Sequence, residues 1–133
     1  MIDLLQAAQT AVFTKLAASP ALTALCPVYQ HVPQNTQPPM TIIGRVESEN
    51  QGSKGEQFER ITVEVHAVWR GAGRAELLDI MHAQRAALEG QELAFSGVQF
   101  DRPDFMGAVA DGPGGDGITY AGISIFIINA EPA

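Results

Sequence analysis

Apolar residues recur at three- and four-residue spacing near the start of the chain, at Leu4, Leu5, Ala8, Val12, Phe13 and Leu16. This spacing places them on one face of an amphipathic helix, predicted over residues 3–18. Asp3 suits the N-cap, because its carboxylate can accept hydrogen bonds from the first unpaired backbone amides. Ser19 is expected to end the helix, because a residue that precedes proline is pushed out of helical geometry.

The segment FERITVEVHAVWR changes to strict alternation, which is the period of a β-strand. One predicted face is the core face, with Ile61, Val63, Val65, Ala67 and Trp69. The other carries Arg60, Thr62, Glu64, His66 and Arg70. We expect the mixed-charge row of Arg60, Glu64, His66 and Arg70 to meet solvent or a partner, because a strand buried on one face leaves the other open.

Other segments extend this picture. Short and long strands are predicted at residues 28–32 and 40–49, and ENQGSKGEQ forms a flexible connection to the alternating strand. Helical spacing returns in residues 74–90, where Gly90 is placed to close the helix in a left-handed conformation. Residues 98–110 form a strand with a break near Pro103, because proline donates no backbone hydrogen bond.

The last strand, ITYAGISIFIINA, is apolar on both faces, with Ile123, Ile125 and Ile127 on one face and Tyr120, Phe126 and Ile128 on the other. Such a strand is central or is covered by another subunit. The element order α-β-β-β-α-β-β therefore predicts one α+β domain over residues 1–133, with an antiparallel sheet, two helices packed on one face and long hairpin loops.

Composition narrows the functional classes. The formal net charge is −7, which disfavours nucleic-acid binding because phosphate contacts need a basic patch. No apolar run approaches the roughly 20 residues of a membrane span, so no membrane partner is predicted. The lone Cys26 forms no internal disulfide, fits a reducing compartment and is expected to be a small buried apolar residue.

Glycine and aspartate crowd the stretch DGPGGDGITY, residues 111–120. A phosphate loop would precede a helix, and a calcium β-roll would need tandem copies. A strand follows instead, so the stretch predicts a hairpin turn in which glycines supply positive φ angles. Asp111 and Asp116 are expected to hold this turn through side-chain hydrogen bonds.

Residues that could support catalysis are few. Gly71 and Gly73 lie between a strand and a helix, but Glu76 occupies the third position of a dinucleotide fingerprint, so a tight turn is predicted there. Asp79 and His82 are three apart on a helix, and with another histidine they would suit a small metal-dependent enzyme. Other ligands at metal-site spacing are missing, so no cofactor, metal or catalytic residue is predicted and the chain is not expected to be an enzyme.

Four stretches, taken in order, resemble the phage tail-completion or tail-terminator family, which includes gene transfer agent relatives. They are AVFTKLAASPAL, QPPMTIIG, ITVEVHAVWRGAGRAELLDIMHAQRAAL and DGITYAGISIFIINAEP. The third is the most specific, with an alternating strand that ends in tryptophan, a small turn and an alanine-rich helix.

The resemblance implies a non-enzymatic virion protein, made in the host cytoplasm, that forms a homo-hexameric ring at the head-proximal end of the tail. Its implied partners are the tail-tube protein and a head-connector or head-closure protein, while DNA passes through the lumen without specific binding. A head-closure or tail-tube protein remains an alternative. Interface candidates are Glu49, Lys54, Glu56, Arg60, Glu64, His66, Arg70, Asp111 and Asp116.

Overall fold

The computed structural model covers residues 1–133 and contains three helices and six strands. In chain order they are α1 (Leu4–Ala17), α2 (Pro20–Thr23), β1 (Val28–Tyr29), β2 (Met40–Asn50), β3 (Glu59–Arg70), α3 (Ala75–Leu88), β4 (Val98–Phe100), β5 (Asp104–Asp111) and β6 (Thr119–Pro132).

The strands form one sheet in the order β1-β2-β3-β6, and β4 and β5 share the far side of β6. The strands β2 to β6 pair antiparallel, as predicted. The short β1 differs, because it pairs parallel to β2. Residues 30–39 make no tight hairpin and instead return the chain to the same end of the sheet before β2 begins. The predicted α+β class is confirmed, with a mixed sheet.

Helices α1 and α3 pack on one face of the sheet and enclose the core. The alternation in β3 holds as predicted, since Ile61, Val63, Val65 and Ala67 are fully buried. Strand β6 is central, and Phe126 and Ile128 fill the same core. The opposite face of the sheet has no covering element.

The first helix begins at Leu4, and the Asp3 carboxylate accepts a hydrogen bond from the Gln6 amide at 3.0 Å, as predicted for an N-cap. Ser19 does end α1, but it also caps the short α2, which the sequence did not predict. Its hydroxyl accepts from the Leu22 amide at 3.3 Å, and Pro20 occupies the first helical position, where its missing N–H costs nothing. The serine before the proline thus follows the end of one helix and caps the start of the next.

A polar cluster lies within the apolar core. The Gln84 side chain on α3 is fully buried, and its Nε2 donates to Thr41 Oγ1 at 2.9 Å and to the His66 carbonyl at 3.2 Å. Cys26 is buried as predicted, with its sulfur 3.2 Å from Thr41 Oγ1. Burial raises the pKa of the Cys26 thiol above its ordinary value.

The predicted break at Pro103 separates β4 from β5. Pro103 is buried, and the carboxylate of the neighbouring Asp101 accepts two hydrogen bonds from Asn129, from its backbone amide and from its Nδ2, both at 2.7 Å. These bonds occupy the gap on one side of β6 between its pairing with β4 and its pairing with β5. Gly90 ends the α3 region with a φ of +70°, as predicted.

Candidate assembly surfaces

The predicted mixed-charge row lies on the uncovered face of β3. Its charges are mostly compensated within the chain. Arg60 Nη2 lies 3.0 Å from the Glu49 carboxylate on β2, and His66 Nε2 lies 3.2 Å from Glu64. The Arg60–Glu49 pair is exposed, and such pairs contribute only about 0–1 kcal/mol to stability, so it shapes the surface more than it holds the fold.

An apolar strip runs beside this row, formed by Val109, Ile123, Ile125 and Ile127. Val109 on β5 lies directly opposite Ile123 on β6, and these side chains are 60% and 37% exposed. Ile125 and Ile127 are half-buried on the same face, which confirms the predicted sharing of one face. Large apolar side chains grouped on an uncovered sheet face are typical of a surface that another protein covers.

The hairpin between β2 and β3 spans residues 51–58. It is closed by the Gln51 amide, which donates to the Phe58 carbonyl at 2.8 Å, and by a turn in which the Glu56 amide donates to the Ser53 carbonyl at 2.9 Å. Lys54 lies exposed at its tip, and Glu49 lies near its base. β2 runs one residue farther than predicted, to Asn50, and β3 begins one residue later, at Glu59, so the connection has about the predicted length.

This hairpin is fastened to the start of the chain. Gln57 Nε2 donates to the Ile2 carbonyl at 2.7 Å, and Gln57 Oε1 accepts from the Ile2 amide at 3.3 Å. An open groove of about 620 Å³ lies between Met1 and the hairpin, and Met1 is its one apolar lining residue. A polar, open groove differs from the largely apolar, enclosing pockets that bind small molecules.

The predicted hairpin at the glycine-rich stretch is confirmed, with residues 112–118 joining β5 to β6. Asp116 holds the turn as predicted, because its carboxylate accepts hydrogen bonds from the amides of Ile118 at 3.0 Å and Thr119 at 2.8 Å, and from the Thr119 hydroxyl. The Thr119 hydroxyl and these amides lower the pKa of Asp116 to about 2. Asp111 makes no such bond, because it ends β5 with an exposed side chain.

Two arginines brace the base of this second hairpin. Arg70 Nη1 donates to Gln37 Oε1 at 2.8 Å, and its Nε lies 3.4 Å from the Thr119 hydroxyl. Arg74 Nη2 donates to the Gly112 carbonyl at 2.8 Å. Arg70 therefore has its own partners and takes no part in the pairs formed by Arg60, Glu64 and His66. The sequence contained no signal for Arg74, because its partner is a backbone carbonyl 38 residues away.

The two hairpins lie at opposite ends of the sheet. The first leads into the start of β3, which pairs with the end of β6, whereas the second leads into the start of β6, which pairs with Arg70 at the end of β3. At about 3.3 Å per residue, the 12 residues of β3 separate the hairpins by roughly 35–40 Å. The chain therefore presents two distant sets of exposed loop residues.

The remaining candidates lie apart from these surfaces. Asp79 and His82 are exposed on α3, and His31 is exposed beyond β1. No group of three or more histidine, cysteine, aspartate or glutamate side chains is placed to hold a metal ion. Gly71 lies in the predicted turn after β3, where a Cβ would come within 2.7 Å of Trp69 Nε1. None of the three helices has the length and apolar character of a bilayer span.

Comparison with known proteins assigns a family to this architecture. Residues 10–120 match the family model described as "Tail completion protein gp17". A search of curated proteins found no match.

Two solved structures are similar to the chain. The first belongs to a virion of a native gene transfer agent particle, with a TM-score of 0.87 and 19% identity, covering 98% of this chain and 99% of that one. The second is the gp17 protein of bacteriophage SPP1, with a TM-score of 0.58 and 25% identity, covering 98% of this chain and 91% of that one. At 19% identity the first likeness concerns the fold alone.

Proposed function

This chain belongs to the tail completion protein gp17 family, and we propose that it forms a ring at the head-proximal end of a phage or phage-like tail. Family membership makes it a structural protein of the virion tail. In the proposed role, the ring stops polymerisation of the tail tube and joins the tail to the head connector or head-closure protein.

The observation that carries this proposal is the placement of the two hairpins. A joining protein must contact one partner on the tail side and another on the head side, and residues 51–58 and 112–118 lie at opposite ends of one continuous sheet. A sheet that packs one face against a close-packed core transmits position rigidly between its ends. Each hairpin thus supplies one docking end, and the arrangement needs no catalytic group.

Self-association of the chain is the second element of the proposal. A homo-hexameric ring requires heterologous contacts, in which a surface of one copy meets a different surface of the next. The uncovered apolar strip and the adjacent row of Arg60, Glu64 and His66 are available for protein contacts. With a net charge of −7 per copy, such a ring surrounds passing DNA without holding its phosphates.

Tail length and head attachment in particles made without this protein test the proposal. Electron microscopy should show overlong tubes and unattached heads, and wild-type protein supplied in trans should restore both. Two hairpin variants refine the test, Lys54→Glu in the first loop and Ile118→Lys in the second, with the exposed Asp79→Lys on α3 as the control. Tails of normal length that fail to join heads would instead indicate a head-closure protein, and normal tails with normal joining would overturn the proposal.

A further inference from the structure

A long uncharged segment separates two charged parts of this acidic chain. Aspartate, glutamate, lysine and arginine are all absent between Lys15 and Arg45, although such residues make up 17% of the chain. The segment forms the end of α1, then α2, β1 and the first half of β2. It therefore builds the β1 side of the sheet, which we call the neutral edge (residues 16–44).

The neutral edge is exposed in part in the single chain, although residues such as Leu22 and Ile43 are buried in the core. Leu25, three residues before β1, is 42% exposed, and Gln30 and Pro33 beyond β1 are exposed as well. β1 pairs with β2 on one side only, so its other side is open. An open, charge-free surface on a protein of net charge −7 is a place where another acidic molecule can approach without like-charge repulsion.

The opposite side of the sheet ends in β5, whose interior residues 105–110 also carry no charge. Met106 is 58% exposed, and Val109 of the apolar strip belongs to the same strand. β5 pairs only with β6, so the backbone groups on its outer side have no strand partner. Arg85, whose guanidinium lies 3.9 Å from the centre of the Phe105 ring, is paired with Glu89 at 3.1 Å. We call this side the β5 edge (residues 105–110), and the exposed Asp104 and Asp111 flank it.

We propose that the β5 edge of one copy contacts the neutral edge of the next copy. The inference rests on the proposed ring and names the surfaces that build it. Two edges on opposite sides of one sheet provide the two different surfaces that a head-to-tail contact needs. The centres of protein interfaces are depleted in charged residues, and both edges share this property, whereas the two hairpin ends carry charges.

The occupant of these edges is a second copy rather than the tail tube or the head connector. Those partners dock on the two hairpin ends, which lie along the strand direction. The two edges are instead separated in the direction perpendicular to the strands, so they lie on opposite sides of the sheet. Copies that join side to side leave all the charged hairpins on the two faces of the ring, where the other partners bind.

Site-directed cross-linking tests the contact. Val109→Cys and Leu25→Cys are combined in one chain and treated with a flexible bismaleimide under conditions in which the wild-type protein forms rings. Cys26 is only 3% exposed and stays unreactive in the wild type. The double variant should give a ladder of covalent oligomers, while each single variant should stay monomeric. Leu25→Cys with Leu78→Cys is the control, because Leu78 is an exposed apolar residue on α3 that belongs to neither edge.

The outcomes separate the two proposals. Rings without a ladder would overturn the inferred contact and leave the ring proposal intact. Dimers formed by a single variant would also overturn it, because they would indicate a symmetric contact between identical edges. Wild-type protein that forms neither rings nor capped tails would overturn both. As an independent measure, Val109→Glu should abolish rings at concentrations where Leu78→Glu still forms them, and equal ring formation by the two variants would contradict the inference.

Discussion

Gln84 Nε2 donates a hydrogen bond to Thr41 Oγ1 at 2.9 Å, and this bond joins α3 to β2 inside a largely apolar core. The same amide reaches the His66 carbonyl on β3, so one side chain connects the helix to two strands. Its Oε1 has no partner. The buried Gln84 amide therefore has a nitrogen that is hydrogen-bonded and an oxygen that is not.

We expect Gln84→Met to lower the free energy of unfolding by about 1–3 kcal/mol, because Thr41 and His66 lose a buried donor while the volume changes little. Urea denaturation followed by circular dichroism measures the change. Gln91→Met, at an exposed position just after α3, is the matched control and should stay within about 0.5 kcal/mol of the wild type. A Gln84→Met protein as stable as the wild type would show that removing the unpaired Oε1 offsets the lost bonds.

The turn glycines of the second hairpin should differ sharply in their tolerance of a side chain. Gly112 has a φ of +123°, and a Cβ there would lie 2.9 Å from Tyr120 Cα and 3.0 Å from the Thr119 carbonyl oxygen. Gly112→Ala should therefore cost about 1–3 kcal/mol of stability. A Cβ at Gly115 would point into open space, with no contact within 4 Å, so Gly115→Ala should be neutral in the same thermal unfolding assay. Equal melting temperatures of the two variants would contradict the steric account.

Most of the fold followed from hydrophobic spacing. The period of two in β3 and the period of about four in α1 survive because both elements bury one face against the same core. Three features lay beyond such patterns. The α2 helix is too short for a periodic signal, the direction of β1 depends on how residues 30–39 return along the sheet, and Gln84 is a polar residue whose partners come from other strands.

The assembly surfaces were predictable in part. Strand alternation identified the row of Arg60, Glu64 and His66, and the glycine content identified the second hairpin. Their relative placement was not predictable, because the two hairpins separate only once the register of β3 against β6 is known. The bond from Arg74 to the Gly112 carbonyl depends on the same tertiary arrangement.

Arg74 should restrain the second hairpin without supporting the whole fold. Its guanidinium donates to the Gly112 carbonyl at 2.8 Å from an exposed position, so Arg74→Ala should change global stability by less than about 1 kcal/mol. The amides of residues 114–119 should nevertheless exchange with deuterium a few times faster, because local opening becomes easier. Hydrogen exchange measured by NMR checks this, with Arg45→Ala as the control. Unchanged exchange in the hairpin would contradict the restraint.

The second hairpin should loosen in acid only at a pH well below the ordinary pKa of an aspartate side chain. The hydrogen bonds from Thr119 and Ile118 lower the pKa of Asp116 from 3.8 to about 2. The folded hairpin thus favours the carboxylate, and its contribution is fully present above pH 3.8 and is lost as the pH falls through about 2. In an NMR titration, the amide shifts of Ile118 and Thr119 should change with a midpoint near 2. Asp116→Asn should remove this transition, and Asp111→Asn should preserve it because Asp111 makes no bond in the turn. A midpoint near 3.8 in the wild-type protein would show that the carboxylate does not hold these amides in solution.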